Sequence, residues 1–139
     1  MTPRQSVLAE CGRRGRPAVI AGCVRLLNGE DADDDLIMVL GGPAAACVLD
    51  GGEGGRNGYW PQVWAARGLL HVWGDEATPA IIRALAHEHW RVREMAAKVV
   101  AAHHVGDALE AVAALRDDPV PRVRAAAERA MRLVSAAGS

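Results

Sequence analysis

The sequence of 139 residues is poor in aromatic side chains, with four tryptophans, one tyrosine and no phenylalanine. Half of its residues are nevertheless hydrophobic, and most of these are alanine, valine and leucine. Small and aliphatic side chains favour close packing of helices over a β-sandwich. A chain of this length is predicted to form one domain over 1–139 with a single core.

An excess of charge is also missing, because the formal net charge at pH 7 is −1. This balance predicts neither nucleic acid nor a membrane surface as a partner of the whole chain, so electrostatic recognition must come from a local patch. No apolar run reaches the roughly 18 residues of a membrane helix. The N-terminal stretch lacks the continuous apolar region of a secretory signal. The predicted location is therefore the cytoplasm.

Reactive groups are scarce. The three cysteines, Cys11, Cys23 and Cys47, form no C-x-x-C pair, and we interpret them as small, buried, reduced thiols. The G-x-S-x-G motif of serine hydrolases is missing, and serine occurs only at 6, 135 and 139. No base stands beside the cysteines in the same predicted hairpin. We therefore predict no enzyme activity, no catalytic residue and no cofactor.

What the chain does contain is an internal repeat of about 31 residues, a length typical of helical solenoids. Gly-Asp, a short apolar run, an acidic turn, Val-Arg and an Ala-rich run follow one another in 74–100 and again in 106–131. Because one helical hairpin cannot cover its own apolar face, successive hairpins must stack. The repeat predicts an all-α fold, a right-handed α-α superhelix (solenoid) of about four antiparallel helix hairpins. No segment shows the period-2 alternation of a sheet.

Proline and glycine mark the ends of the predicted helices, since proline is tolerated in the first helical turn and glycine often follows the last. The predicted hairpins are 3–14 with 17–28, 34–50 with 59–73, 78–87 with 90–104, and 107–116 with 120–136, which ends before Gly138. Helix 34–50 is expected to break at 41–43. The glycine-rich segment 51–58 is predicted to be a flexible loop. A phosphate-binding loop is the weaker interpretation, because the segment lacks G-K-[ST] and no strand precedes it.

The stretch 73–134 resembles two HEAT repeats of the short bacterial type, the group named after phycobilisome lyase subunits. The shared features are Gly-Asp before the first helix, an acidic turn, Val-Arg opening the second helix and the Ala-rich run. Residues 59–75 resemble the second half of a third, degenerate repeat, whereas 1–58 are divergent hairpins predicted from periodicity alone. The resemblance implies a protein-interaction or scaffold module whose recognition surface is formed by the second helices.

The resemblance further implies a hydrogen bond between an Asp of the inter-helix turn and an Arg of the second helix. Asp118 stands six residues before Arg124 and fits this pattern. In the earlier repeat His87 stands six residues before Arg93, with Glu88 beside it. We therefore predict a charge-assisted bond between Asp118 and Arg124 that ties the turn to the helix start.

Basic side chains recur on the second helices, opposite the apolar stripe. Arg132 belongs to this ridge, whereas Glu94 and Glu128 dilute its charge. The ridge suits an acidic protein segment, and a nucleic-acid backbone is the alternative occupant, with binding that would fall steeply with salt. A lyase-associated subunit is a further alternative, which needs a reactive Cys or His in a pocket. The residues predicted to contact a partner are Trp60, Arg91, Lys98, Arg122 and Arg129.

Histidines do not form a convincing metal site in the sequence. His71 and His103 occupy matching places one repeat apart, and His87 and His89 share a turn. Adjacent helices lie about 8–10 Å apart, and zinc needs three or four converging ligands. We therefore predict no metal.

The remaining expectations concern packing. Trp64 and Trp73 are predicted in the core, and the aromatics near helix starts, Tyr59, Trp60 and Trp90, are predicted to be partly exposed. Small side chains are expected at the seam between stacked hairpins, namely Ala96, Ala97, Ala126 and Ala127. No polar helix covers the Ala-rich segment 120–136, so a homodimer through an exposed end of the solenoid is also predicted.

Overall fold

The computed structural model describes residues 1–137, and all regular secondary structure within them is helical. The predicted all-α fold is thus confirmed, and no strand occurs in the described residues. The chain forms two compact units, Met1–Ala77 and Thr78–Ser139. We call them the N-terminal unit and the C-terminal unit and describe each by itself.

The N-terminal unit contains the helices α1 (Pro3–Arg14), α2 (Arg16–Leu27), α3 (Asp34–Gly41), α4 (Ala45–Leu49) and α5 (Trp60–Gly68). As predicted, α1 packs against α2 and α3 packs against α5. The predicted break inside 34–50 is present, because a 3-10 turn separates α3 from α4. In addition, α2 packs on α5 and α1 on α3, so that the two hairpins share one core.

Polar caps fix the starts of α1 and α3. Thr2 accepts a hydrogen bond from the Gln5 N–H, and the Gln5 side chain accepts one from the Thr2 N–H. This reciprocal arrangement is a capping box. Asp33 accepts from the Leu36 N–H at 2.8 Å and also receives the guanidinium of Arg14. The acidic stretch before Leu36 therefore starts a helix as predicted, and it ties the end of α1 to the start of α3.

The segment 51–58 is more ordered in its contacts than the predicted flexible loop. It contains a 3-10 turn, in which Glu53 has a left-handed backbone with φ 53°. Arg56 donates to the carboxylate of Asp31 and to the backbone carbonyl of Ala32. It also pairs with Asp34. One arginine thus ties the glycine-rich segment to the turn that precedes α3.

The C-terminal unit contains α6 (Thr78–Ala84), α7 (Trp90–His103), α8 (Leu109–Ala114) and α9 (Pro121–Ala137). The predicted hairpins α6–α7 and α8–α9 are in contact, and α7 packs along α9. The predicted seam is confirmed, because its four alanines are all buried: Ala96, Ala97, Ala126 and Ala127. Gly138, predicted to follow the last helix, lies outside the described residues.

Three helices, α5, α6 and α8, are shorter than predicted. Helix α5 ends at Gly68 rather than 73, and α6 ends at Ala84 rather than 87. Thr78 is the first residue of α6 and not a preceding cap, because a 3-10 turn over Asp75–Ala77 leads into it. Similar 3-10 turns flank α8. These tighter turns use the terminal N–H and C=O groups that an α-helix leaves unpaired.

The two inter-helix turns of the C-terminal unit are equivalent. His87 Nδ1 accepts from the His89 N–H, and 31 residues later Asp118 Oδ1 accepts from the Val120 N–H. Arg93 donates to the carbonyl of His87, and Arg124 donates likewise to the carbonyl of Asp118. The repeat seen in the sequence is therefore also a repeat of hydrogen bonds.

The Asp118 carboxylate was predicted to bond Arg124, and this prediction is wrong. The carboxylate receives Arg93 of the preceding repeat, with 2.7 Å from Nε to Oδ2 and 3.2 Å from Nη2 to Oδ1. Arg124 reaches only the backbone carbonyl of Asp118, at 2.7 Å. The carboxylate thus links two hairpins, because stacking brings Arg93 closer to it than Arg124.

The outer face of α9 differs from that of α7. Helix α7 presents Ala97 and Ala101 to its neighbour, and both are buried. The residues 31 positions later are Glu128 and Arg132, and both are exposed. The last described helix therefore carries charged side chains where the preceding second helix carries alanine.

Candidate partner-binding site

A groove of about 630 Å³ runs between α7 and α9, the second helices of the two hairpins in the C-terminal unit. Its apolar lining is formed by alanines of both helices and by Leu133. Charged and polar side chains also line the groove. The lining residues are Glu94, Lys98, Ala101, Ala102, His104, Arg122, Ala125, Ala126, Arg129 and Leu133.

The helical period places the basic side chains on this face. Arg122 and Arg129 are seven residues apart on α9, which is about two helical turns. The opposite face of α9 buries Val123, Ala127 and Ala130. The structure thus brings three of the predicted contact residues together around one groove, namely Lys98, Arg122 and Arg129.

Glu94 lies in the groove and is only 8% exposed. It accepts hydrogen bonds from Arg122, with 2.9 Å from Nε and 3.1 Å from Nη2. The Lys98 ammonium stands 4.0 Å from the same carboxylate. The charge of Arg122 is therefore largely compensated within the protein, and Arg122 is less available to a partner than its exposure suggests.

Together with Arg122, Arg129 and Lys98 give the groove a net positive charge. Arg129 is exposed, and among residues 1–137 no carboxylate forms an ion pair with it. The Lys98 side chain is 46% exposed and shares Glu94 with Arg122. Three cations thus face one carboxylate, and the groove attracts negatively charged groups.

Arg91 lies beside the groove rather than in it. Its guanidinium carbon is 4.6 Å from the centre of the Trp90 ring, and that of Arg122 is 5.1 Å from the same centre. Both distances are in the range of cation–π contacts. Trp90 is half-buried, as predicted. It joins two of the predicted contact residues, Arg91 and Arg122, at the start of α7.

Trp60 belongs to the N-terminal unit and does not line the groove. Its ring is stacked on Trp64 with 6.2 Å between centres, and Tyr59 lies 5.0 Å away. Trp60 and Tyr59 are half-buried as predicted. Trp64 is a core residue as predicted, but Trp73 is half-buried because it follows the early end of α5.

Sequence reasoning missed two features of the groove. His104 lies at its edge, where it ends α7 with a left-handed backbone of φ 51°. Glu94 was considered only as a dilution of positive charge, whereas it is the carboxylate that holds Arg122. The spacing of Glu94 and Lys98, four residues apart on one helix, was the available signal for Glu94. No comparable signal marked His104.

Burial shifts the pKa of two cysteines and two histidines. Burial raises the pKa of Cys23 to about 12 and also raises the pKa of Cys11, which lowers the fraction of reactive thiolate. Burial lowers the pKa of His87 and His89. In residues 1–137 no three His, Cys, Asp or Glu side chains converge as metal ligands would.

The cysteines are free, but they are not uniformly buried as predicted. Cys23 is buried and Cys11 is half-buried. The prediction is wrong for Cys47, which is exposed. Cys47 lies on the five-residue helix α4, next to the glycine-rich turn at 51–54, and little of the chain covers it.

Comparison with known proteins identifies the repeats. In the described part of the chain no helix has the length and apolar character needed to span a membrane. No curated protein and no solved structure matches the sequence. Residues 59–132 match the sequence profile of HEAT repeats, and this match covers more than half of the 139 residues. The chain therefore belongs to the HEAT-repeat family.

Proposed function

We propose that this chain is a non-enzymatic protein-interaction module that binds an acidic segment of a protein partner. HEAT repeats generally mediate protein–protein interaction or scaffolding. The observation that carries the proposal is the groove between α7 and α9, where an apolar lining is flanked by Lys98 and Arg129 and the cations outnumber the single carboxylate, Glu94. Apolar area supplies binding energy, and the cations select a negatively charged partner.

The rigidity of the site supports this function. The backbones of α7 and α9 meet over buried alanines, and the Arg93–Asp118 bridge joins their hairpins. A groove that is already formed loses little conformational freedom when it is occupied, so more of the contact energy appears as affinity.

Nucleic acid is the second candidate, and the geometry favours it less. Phosphates repeat closely along a nucleic-acid strand, and a strand along the groove would meet the carboxylate of Glu94. The alanine lining also provides no hydrogen-bond donor for phosphates. Binding of duplex DNA at about 50 mM salt that weakens steeply with added salt would support this candidate. A chain that binds no duplex under those conditions would exclude it.

A lyase-associated subunit is the third candidate. It requires a reactive Cys or His in a pocket, and burial raises the pKa of Cys11 and Cys23. Alkylation with iodoacetamide, followed by mass spectrometry, tests it. Alkylation at Cys11, Cys23 and Cys47 that is no faster than that of an ordinary thiol supports the non-enzymatic proposal, and unusually fast alkylation at any of the three supports the lyase-associated candidate.

We propose that the whole chain, 1–139, acts as one HEAT-like module of the short bacterial, phycobilisome-lyase-like type, located in the cytoplasm. The three free cysteines are consistent with a reducing compartment. Arg91 is proposed as a further contact beside the groove, through its position on Trp90. Trp60 is proposed as a contact of the N-terminal unit, where it is half-buried.

A homodimer through an exposed end of the solenoid also remains a proposal. Among the described residues the exposed large hydrophobic side chains are Met1, Leu8 and Met38, all in the N-terminal unit. An apolar contact between two copies would therefore use that unit, because α9 carries charged side chains on its outer face. Sedimentation velocity over a range of concentrations tests it, and a single monomeric species throughout would contradict it.

The interaction function can be tested with a displayed library of random linear peptides. Selection on the intact chain should enrich peptides that contain Asp or Glu together with aliphatic residues. Binding should fall when Lys98 and Arg129 are both replaced by alanine. The matched control is Arg132→Ala, an exposed arginine of α9 outside the groove. Failure to enrich any peptide, or equal loss of binding in the control, would contradict the proposed function.

A further inference from the structure

We propose that the partner enters the groove as an amphipathic α-helix. It places one carboxylate between Lys98 and Arg129, and an aliphatic side chain about one helical turn away against Leu133. The inference rests on the proposed function and names the chemistry of the partner segment. Three levels along the groove, each formed by one residue from α7 and one from α9, carry it.

The first level holds two cations, Lys98 and Arg129. Arg93 and Arg124 make the same hydrogen bond 31 residues apart, which fixes the register of α7 and α9. Lys98 and Arg129 are also 31 residues apart, and both line the groove. They therefore stand at the same height on helices about 8–10 Å apart. A carboxylate lying between them is within reach of both flexible side chains.

The second level, four residues further along each helix, is apolar. It consists of Ala102 on α7 and Leu133 on α9, with Ala101 beside them. Four helical residues rise about 6 Å. An aliphatic side chain one turn from the partner's carboxylate would cover Leu133 and exclude water from it.

The third level lies four residues in the opposite direction and rejects a carboxylate. It consists of Glu94 on α7 and Ala125 on α9. Arg122 already donates two hydrogen bonds to Glu94. A second acidic residue of the partner at this level would face Glu94 without a free cation. The groove therefore selects a helix that is acidic at the middle level, aliphatic on one side and free of acid on the other.

The lining favours a helix over an extended peptide. An extended segment needs partners for its backbone N–H and C=O groups. Five of the ten lining residues are alanine or leucine, whose side chains offer none. A helix satisfies its own backbone and presents side chains at one-turn spacing, so it can lie between two helices as a third.

One feature of the sequence makes the proposed contact directly measurable. Lys98 is the only lysine among the 139 residues. A water-soluble carbodiimide joins a carboxylate to a nearby amine as an amide, with loss of one water. A bound peptide whose only carboxylate is the predicted Glu should therefore become attached to Lys98. The exposed amine of Met1 is the other candidate amine and serves as an internal reference.

The experiment uses synthetic alanine- and glutamine-rich helical peptides with blocked termini and a fluorescent label. The test peptide carries Glu and, four residues later, Leu. Comparison peptides replace Glu by Gln, replace Leu by Ala, move Leu to two residues from Glu, or add a second Glu one turn on the other side. Fluorescence anisotropy gives the affinity for the full chain, and mass spectrometry locates the amide.

The test peptide should bind most tightly and form its amide at Lys98. Lys98→Ala and Arg129→Ala should each weaken binding roughly fivefold, as expected for a partly exposed charge pair. Lys98→Arg should keep the affinity and lose the amide. Arg132→Ala should change neither. The peptide with a second Glu should bind poorly to the natural chain and regain affinity with Glu94→Gln.

Several outcomes would overturn the helix proposal. They include tighter binding by the peptide with Leu two residues from Glu, an amide at Met1 alone, and a test-peptide affinity unchanged by Arg129→Ala. Binding of a 20-base-pair DNA duplex that is lost in the Lys98→Ala and Arg129→Ala variants would assign the groove to nucleic acid. If the helical peptides fail while linear library peptides still bind through Lys98 and Arg129, only the helix is refuted. If both sets fail, the proposed function fails as well.

Discussion

Arg93 connects the two hairpins of the C-terminal unit. Its Nη1 donates to the carbonyls of His87 and Glu88, and its other nitrogens hold the carboxylate of Asp118. The side chains of Arg93 and Asp118 are 13% and 5% exposed. One guanidinium thus fixes the inter-helix turn of its own hairpin and that of the next hairpin.

Replacing Arg93 with alanine should strongly destabilise the protein. The change removes the cation that pairs with the buried carboxylate of Asp118 and the donor that bonds the carbonyl of His87. Removal of one partner from a buried ion pair typically costs about 3–5 kcal/mol. Urea denaturation followed by circular dichroism measures the loss. Arg132→Ala is the control and should change stability by less than about 0.5 kcal/mol, and an equal effect of both variants would contradict the role of Arg93.

The Asp118 carboxylate should make stability depend on acidic pH. Its burial alone would raise the pKa of Asp118, but the hydrogen bonds from Arg93 and from the Val120 N–H outweigh burial and lower the pKa. A lowered folded pKa gives stability that is present above the unfolded value of about 3.9 and is lost as pH falls through the folded pKa.

The measurement compares the natural chain with Asp118→Asn by urea denaturation at several pH values. The natural chain should be the more stable at pH 7, and the difference should shrink below about pH 4 as the carboxylate takes up a proton. A difference that stays constant down to pH 2 would contradict this assignment.

At the residue scale, the sequence predicted the bridge but not its partner. The Asp118 turn and the arginine four residues into each second helix were visible as a repeated pattern. Because the pattern recurs, both Arg93 and Arg124 are chemically suitable for one carboxylate. Only the stacking of the hairpins brings Arg93, 25 residues away in the sequence, to Asp118. The pairing of Arg122 with Glu94 was hidden for the same reason.

Among the elements, α3 and α5 approach each other closely through Gly41. A Cβ atom at Gly41 would lie 2.5–2.8 Å from three atoms of the Trp64 ring. The backbone of Gly41 is helical, so the requirement for glycine is one of space. The buried tryptophan of α5 thus occupies the place of a missing side chain on α3.

Two glycine-to-alanine substitutions should change the stability of the protein in opposite directions. Gly41→Ala should destabilise by about 1–3 kcal/mol, because a rigid ring must move in a packed core. Gly12→Ala should stabilise by up to about 1 kcal/mol, because alanine restricts the unfolded chain and suits a helix. Gly12 lies within α1, and an added Cβ would meet nothing within 4 Å. Thermal melts of the two variants decide the matter, and shifts of the same sign would refute this account.

The seam between α7 and α9 gives a second prediction at the scale of elements. Ala127 is fully buried, and Ala127→Leu should cost about 1–3 kcal/mol through overpacking. Ala136→Leu is the matched control, because Ala136 is exposed on the same helix. An unchanged melting temperature for Ala127→Leu would show that the seam has room for a larger side chain.

In the C-terminal unit, the second helix of each hairpin was better predicted than the first. Helix α7 ends within one residue of its predicted bounds, and α9 also follows its prediction closely. Both have long apolar stripes and clear starts at Trp90 and Pro121. The opening helices α6 and α8 were predicted too long, because apolar periodicity does not distinguish an α-helix from the 3-10 turns that flank them. A 3-10 turn has about three residues per turn, which is close to the roughly 3.6 of an α-helix, so its apolar pattern resembles that of a further helical turn.

At the scale of the whole molecule, charge is divided between the two units. The segment 1–77 has seven basic and ten acidic residues, and the segment 78–139 has nine basic and seven acidic residues. The net charge of −1 therefore hides one acidic and one basic unit. The sequence predicted the basic ridge. The groove itself depends on side chains from helices of two different hairpins, so only the stacking of these hairpins reveals it.

The thiols should report the opening of the N-terminal unit. Cys47 is exposed, Cys11 is half-buried and Cys23 is buried. Burial also raises the pKa of Cys23 to about 12. A disulfide reagent in excess should modify Cys47 first, Cys11 more slowly and Cys23 only when the unit unfolds. Peptide mapping of the reaction over time gives the order, and rapid modification of Cys23 in the native protein would contradict the described core.

The charged outer face of α9 has a practical consequence for protein engineering. A designed hairpin fused after residue 137 would have to bury Glu128 and Arg132. The preceding repeat shows no way to compensate these charges, because it has alanine at both positions. Exchange of both for alanine would recreate the surface that α7 offers at Ala97 and Ala101. The guanidinium of Arg124 would then meet an aspartate supplied by the added hairpin. Longer synthetic arrays could thus be assembled from this chain with these two substitutions and one aspartate in the added hairpin.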